Sequence, residues 1–331
     1  MENYFRRLIR RHESLRTSFH LVGEEPVQRI HETVDFEIEY ERSMVDGHRS
    51  MEKCPGRGEV PSPSLSGFIR PFDLSRAPLF RVGLIEIDKQ KKILMVDMHH
   101  IISDGASVKV LIKDFITAFK GEGLLPQRIR YKDFAAWQKL QKQEERIKQQ
   151  GEYWLKQWEG EIPVLSLPTD YPRPLVQGIE GHAVHFELGE KETRRLQSLV
   201  REQDITLFML LLCAYTVFLA RLSGQEDIVV GIPIAGRRQA DLENIVGMFV
   251  NTLALRNYPR GQKPFDRFLK EIRESCLEAF ENQDYPFEDL VEQVAVERDT
   301  SRNPLFNTMF NLQNIDIPVI ETPGLKLSPF E

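Results

Sequence analysis

The sequence predicts a mixed α/β fold in two lobes, on three observations. The chain has 331 residues, more than one small core organises and about what two compact lobes need. Strand-like and helix-like patterns alternate along it without an internal repeat. LPTDYPRP at 167–174 interrupts them near the middle, where its prolines forbid regular helix and favour an extended crossing. The lobes are therefore expected at 1–170 and 171–331.

Each element follows from its own pattern. Phe5, Leu8, Ile9 and His12 recur at helical spacing, so an amphipathic helix opens the chain at 2–15. Residues 27–40 read as one extended strand or two shorter ones. Residues 41–67 collect Gly47, Gly56, Gly58, Gly67, Pro55, Pro61 and Pro63 and read as a loop, unusually long for a compact domain. Residues 79–87 alternate, DKQK makes a turn, and 93–98 is a nearly continuous apolar run, the pattern of a buried central strand. A helix at 106–119 follows, then a helical stretch at 131–158 with a candidate break at Gly151. In the second lobe a strand is expected at 182–188, then helices at about 190–203 and 206–222. Strands at 227–234 and 249–256, helices at 264–282 and 286–296, and a last strand at 305–312 complete it.

Composition excludes several classes. Lys plus Arg number 44 against 50 Asp plus Glu, a net charge of −6, which argues against a general nucleic-acid binder. Hydrophobic residues at 41% and charged residues at 28% fit a globular rather than a disordered chain. The cysteines are Cys54, Cys213 and Cys276. Their odd number and lack of CxxC spacing argue against a disulfide framework or a zinc site and suit a reducing cytoplasm. The first residues are charged and carry no secretory apolar core. The longest apolar stretch, 207–220, ends at Arg221 and is too short to span a bilayer.

The strongest chemical constellation is Met98-His99-His100-Ile101-Ile102-Ser103-Asp104-Gly105. A strand that ends in two histidines sends their side chains to opposite faces, one toward a cleft and one back into the fold. That division disfavours a shared metal, and no third ligand lies at metal spacing. Asp104-Gly105 fits a tight turn at a helix start. An imidazole there has the chemistry to accept or position a proton of an attacking nucleophile. Taken alone, the pair reads more readily as packing or surface. Ser103 and Ser107 lack a GxSxG elbow, which argues against a nucleophilic serine.

Further segments change that balance. HHIISDG resembles the HHxxxDG motif of condensation domains of nonribosomal peptide synthetases, and other family-like segments follow in the family's order. RHESLRTSF at 11–19 looks like RHExLRTxF, RPFDLSRAPLFR at 70–81 like another family segment, and YKDFAAWQ at 131–138 like YxDYAxWQ. GIPIAGRRQADLENIVGMFVNTLALR at 231–256 is close to GxPxAGRxxxxxExxxGxFVNTLxLR, and QDYPFEDLVEQV at 283–294 and RDTSRNPLFNTMFNLQN at 298–314 resemble the next two motifs.

The resemblance implies an α/β fold like chloramphenicol acetyltransferase, a pseudo-dimeric V of two lobes with a central tunnel. It implies peptide-bond formation between a donor aminoacyl or peptidyl thioester and an acceptor aminoacyl thioester, each on a carrier protein. The implied partners are donor and acceptor peptidyl carrier proteins and the adenylation domain of the same synthetase. No nucleic acid, membrane or metal is implied, and no directly bound cofactor. The 4'-phosphopantetheine arms arrive on the carriers. His100 would deprotonate or hydrogen-bond the attacking amine. His99 would face inward as a structural residue, Asp104 would pair with Arg16 to hold the loop, and Gly105 would give the turn room and bring its N–H near the reacting centre. Ser103, Asn251 and Thr252 would line the tunnel, while Arg237 would reach a carrier or a lobe interface or stay solvated.

The chain also departs from the family pattern. It is expected to lack the first strand and motif of the family and its final strands and helix, and so to be unstable when alone. The 41–67 stretch has unrelated composition, and a local frame error would account for it. A non-catalytic scaffold fragment that binds carriers is the second reading, and an epimerisation domain, which shares HHxxxDG, is the third. SRNPLF and FVNTLALR favour condensation over epimerisation, and the intact histidines argue against heterocyclisation. IISDGAS hints at a donor ending in an L residue.

Overall fold

The computed structural model describes residues 1–42, 67–87, 91–141, 144–178, 180–294, 299–313, 320–322 and 325–328. The atypical stretch noted in the sequence lies, over 43–66, outside the described residues. The chain forms two compact units, the first from residues 1–138, 237–249 and 315–331, the second from 139–236 and 250–314. The division thus falls at 138/139 rather than near 170. Ile147, Trp154, Trp158 and Leu165 precede the proline-rich stretch yet are buried in the core of the second unit. Burial of two tryptophans outweighs a local proline signal in deciding where a segment belongs.

In the first unit, α1 (Glu2–Arg11) buries Phe5, Leu8 and Ile9. β1 (Thr17–Val22) and β2 (Glu25–Ile30) form an antiparallel hairpin. β3 (Glu39–Arg42) runs parallel to β4 (Phe80–Glu86), which pairs antiparallel with β5 (Lys92–Met98). The 27–40 pattern therefore resolves into separate strands. β4, not β5, is the central strand: Phe80, Val82, Leu84 and Ile85 are buried, whereas Val96 of β5 is 45% exposed. An apolar run does not distinguish a middle strand from an outer one. α2 (Gly105–Phe119) lays Val110, Leu111 and Phe115 on this core. Phe5 contacts Phe36, Phe80 and Phe115, and the Phe36 and Phe80 rings stack at 5.7 Å. α3 (Tyr131–Gln141) buries no residue fully, but Tyr131 and Phe134 pack on Phe249 of the returning 237–249 segment. A short hairpin, Ile320–Thr322 with Leu325–Leu327, adds Leu325 and Leu327 to the first core.

The second unit contains α4 (Glu145–Gln157), α5 (Glu190–Glu202), α6 (Leu207–Ser223), α7 (Phe265–Glu281) and α8 (Phe287–Gln293). Its antiparallel strands are β6 (Ile228–Ile234) and β7 (Asn251–Asn257). α6 begins where Thr206 accepts a hydrogen bond from Met209 N and ends at Gly224, whose φ of 71° suits the left-handed cap. α4 continues through Gly151. A Cβ there would lie 2.9 Å from the Tyr285 ring, so the glycine serves a close approach rather than a helix break.

Two expected strands do not form as such. Residues 182–188 make no strand, and Val184 and Phe186 are 85% and 83% exposed. Alternation alone does not supply a neighbouring strand for the backbone to pair with. The 305–312 strand reduces to one parallel bridge, in which Gly231 N donates to Thr308 O and Phe310 N to Gly231 O, both at 2.9 Å. Among the described residues no single helix is long and apolar enough to cross a membrane. α5 and α6 reach that length only as a pair bent by 108°.

Candidate active site

β5 stops at Met98, immediately before the histidines: His99 caps and His100 begins a single 3-10 turn, His100–Ile102. His99 N donates to Leu79 O at 3.0 Å, which fixes the strand end, and His99 Nδ1 accepts from Ile101 N at 3.1 Å, which caps the turn. An accepting Nδ1 leaves the ring proton of neutral His99 on Nε2. The ring is half-buried, edge-on to Phe72 at 6.2 Å. His100 is exposed, and its ring has no hydrogen-bond partner among the described residues. Ile102, which closes the turn, and Ser103, which follows it, are buried.

Asp104 then caps α2. Its Oδ1 accepts from Ser107 N and Ser107 Oγ, each at 2.8 Å. Its Oδ2 accepts from Arg237 at 2.6 Å and from Phe249 N at 3.0 Å. All four lone-pair directions of a buried carboxylate are thereby answered. Burial opposes the charge, but the hydrogen bonds from Arg237, Phe249 N and Ser107, together with the Arg237 charge, outweigh it and hold the carboxyl below its ordinary value. The expected partner, Arg16, is elsewhere. It lies in the 3-10 turn before β1, donates to His31 O, and reaches Glu13 at 3.3 Å. Arg237 takes its place because the 237–249 segment returns to the first unit and lays the guanidinium 4.1 Å over the Phe249 ring.

Ser107 ties this network together. It is fully buried, shares its hydroxyl proton between Asp104 Oδ1 and Gly247 O at 2.9 Å, and accepts from Gly247 N and Arg237, each at 3.1 Å. Tyr131 donates to Met248 O at 2.8 Å, and burial, reinforced by the Asp104 charge, pushes its phenol up to about 12. Gly105, the first residue of α2, is exposed. Sequence reading missed both Arg237 as the partner of Asp104 and Ser107 as the residue that Asp104 caps. The Asp-x-x-Ser spacing at a helix start was the available signal for the cap.

Asn251 and Thr252 begin β7, in the second unit. The Asn251 amide donates to Gln283 O at 2.9 Å and Tyr285 O at 2.8 Å, and its oxygen accepts from Phe287 N at 3.1 Å and Thr252 N at 2.9 Å. These bonds hold the turn that starts α8. Among the described residues no three His, Cys, Asp or Glu side chains converge as metal ligands.

The family model described as "Condensation domain" matches residues 1–327. The chain is 49% identical to gramicidin S synthase 2 of Aneurinibacillus migulanus over 331 residues, covering 100% of this chain and 7% of the relative. It is 49% identical to tyrocidine synthase 3 of Brevibacillus parabrevis over 323 residues, covering 98% and 5%. It therefore spans only a small fraction of the length of these relatives. Among solved structures, the X-domain from teicoplanin biosynthesis superposes with a TM-score of 0.80 at 22% identity, over 93% of this chain and 68% of that one. A four-domain nonribosomal peptide synthetase bound to AMP and glycine superposes with a TM-score of 0.81 at 24% identity, over 97% and 24%. An α/β fold of the condensation-domain kind is thus established, and the chain belongs to the condensation-domain family of nonribosomal peptide synthetases.

Proposed function

We propose that the chain joins two carrier-bound substrates through an amide bond. The amine of an acceptor aminoacyl thioester attacks the carbonyl of a donor thioester. The C–N bond forms, the C–S bond breaks, the donor sulfur leaves as a thiol, and the amine proton passes to the medium or to the leaving sulfur. His100 is the residue assigned to the amine, either taking its proton or orienting it by a hydrogen bond, since a protonated amine has no lone pair for attack. His99 keeps the turn in shape, and Asp104, held by Arg237, anchors the start of α2 beneath it.

One observation carries this reading: an intact HHIISDG turn exposes the His100 ring while His99 Nδ1 and both Asp104 carboxylate oxygens are engaged in structure. The partners assigned are donor and acceptor peptidyl carrier proteins and an adenylation domain of the same synthetase. The phosphopantetheine arms are part of the substrates and not residents of this chain. Asn251, Thr252 and Ser103 are assigned to the substrate path, Asn251 by fixing the 283–287 turn. The free, buried thiols of Cys213 and Cys276 support a reducing cytoplasmic setting.

The test uses the chain within its parent synthetase, with two carriers loaded with different amino acids. Carrier-bound dipeptide is the expected product. A single carrier-bound residue inverted at its α-carbon would indicate epimerisation instead. Carrier binding without product would indicate a scaffold.

A further inference from the structure

The second unit has a cavity of about 430 Å³ between the end of α6 and the loop joining β7 to α7, a size in the range of small-molecule sites. Val217, Ala220, Pro259, Phe265 and Phe268 supply its apolar lining. Arg221, in the last turn of α6, and Arg260, in the loop, supply two guanidiniums that have no hydrogen-bond or ion-pair partner among the described residues.

The remaining polar groups around the cavity are engaged. Lys263 bonds Glu271 at 2.5 Å and Tyr258 O at 2.8 Å. Glu226 accepts from Gly261 N at 2.9 Å. Gln225 donates to Val164 O at 3.0 Å and accepts from Ser166 N at 2.8 Å. α7 also starts here, at Phe265, with no side-chain cap on its first N–H groups, which adds positive potential. Arg221 and Arg260 outnumber the single unpaired carboxylate, Glu226, whose Oε2 has no partner among the described residues, so the free polar chemistry is net cationic, set against an apolar wall.

We propose that this cavity binds a small carboxylic acid with an aliphatic or aromatic tail. The carboxylate meets Arg221 and Arg260, whose forked donors match two carboxylate oxygens. The tail lies against Val217, Ala220 and Phe268. The inference does not depend on the amide-forming reading, and its test needs no turnover.

Titration calorimetry of the full chain with 3-phenylpropionate, and with the neutral 3-phenylpropanol, decides it. Saturable binding of the acid at one site is expected, about tenfold tighter than the alcohol. Replacing both arginines, R221Q/R260Q, should weaken the acid about tenfold and leave the alcohol unchanged. Ala220→Phe, which fills the cavity and keeps both charges, should abolish both, with circular dichroism confirming the fold. If Ala220→Phe does not fold, the arginine variant alone decides. Equal affinity for acid and alcohol, acid binding that survives R221Q/R260Q, or no saturation up to about 10 mM overturns the proposal.

Discussion

Asp104 and Arg237 form a buried ion pair at 2.6 Å, with the two side chains 0% and 5% exposed. They are separated by 133 residues in sequence, so the pair fastens the reactive turn to a distant segment. Removing one partner of such a pair strands a buried charge and typically costs about 3–5 kcal/mol. Arg237→Ala is expected to lower stability by that order in urea unfolding. Arg16→Ala should cost less, since Arg16 serves Glu13 and His31 O. A larger loss for Arg16→Ala would contradict the pairing.

Ser107→Ala removes the hydroxyl shared by Asp104, Arg237 and Gly247. The expected cost is about 1–3 kcal/mol, because buried partners lose a hydrogen bond without gaining water. Hydrogen exchange at the Gly247 amide, which donates to that hydroxyl at 3.1 Å, should accelerate. Unchanged protection of Gly247 would show that the hydroxyl is not its anchor.

Gly247 itself has no room for a side chain. A Cβ there would lie 2.1 Å from Tyr131 Cδ2. Gly247→Ala is expected to destabilise by about 1–3 kcal/mol through overpacking, with partial recovery in Gly247→Ala/Tyr131→Leu. Thermal unfolding of the single and double variants measures both effects.

His12 gives the chain an acid-side liability. It is 1% exposed, with Nε2 2.8 Å from Asp114 and Nδ1 3.3 Å from Gln127 Nε2. Burial, partly offset by Asp114, lowers its pKa from 6.5. The unfolded chain then takes up this proton at higher pH than the folded chain does. The contribution of His12 is complete above 6.5 and declines as pH falls from there toward the lowered folded value. Stability measured by urea at successive pH values should fall below pH 6.5, and more steeply than in His12→Gln. Parallel curves for the two proteins would contradict this assignment.

Much of this was legible in the sequence. The motif order identified the fold, and the helix periods placed α1, α2, α6 and α7 within one to four residues of their ends. What local pattern did not carry was long-range partnership. Arg16 and Arg237 both lie in family-like segments, and only the return of 237–249 to the first unit decides which meets Asp104. Trp154 and Trp158 precede the prolines, yet their burial joins α4 to the second unit. The 182–188 stretch alternates as a strand should, but pairing requires a neighbour that alternation does not encode. The Asp-x-x-Ser spacing signals the local bond from Ser107 to Asp104, but the bonds of its hydroxyl to Gly247 and Arg237, 140 and 130 residues away, were hidden.

The central claim is that amide formation depends on the His100 ring. Its most direct test is the single-turnover rate of carrier-bound dipeptide formation by the parent synthetase carrying His100→Ala, at saturating loaded carriers. A fall of about 10²–10⁴-fold, the usual worth of a positioned acid–base group, with unchanged carrier binding, is the predicted result. Dipeptide formed at the undiminished rate would contradict it.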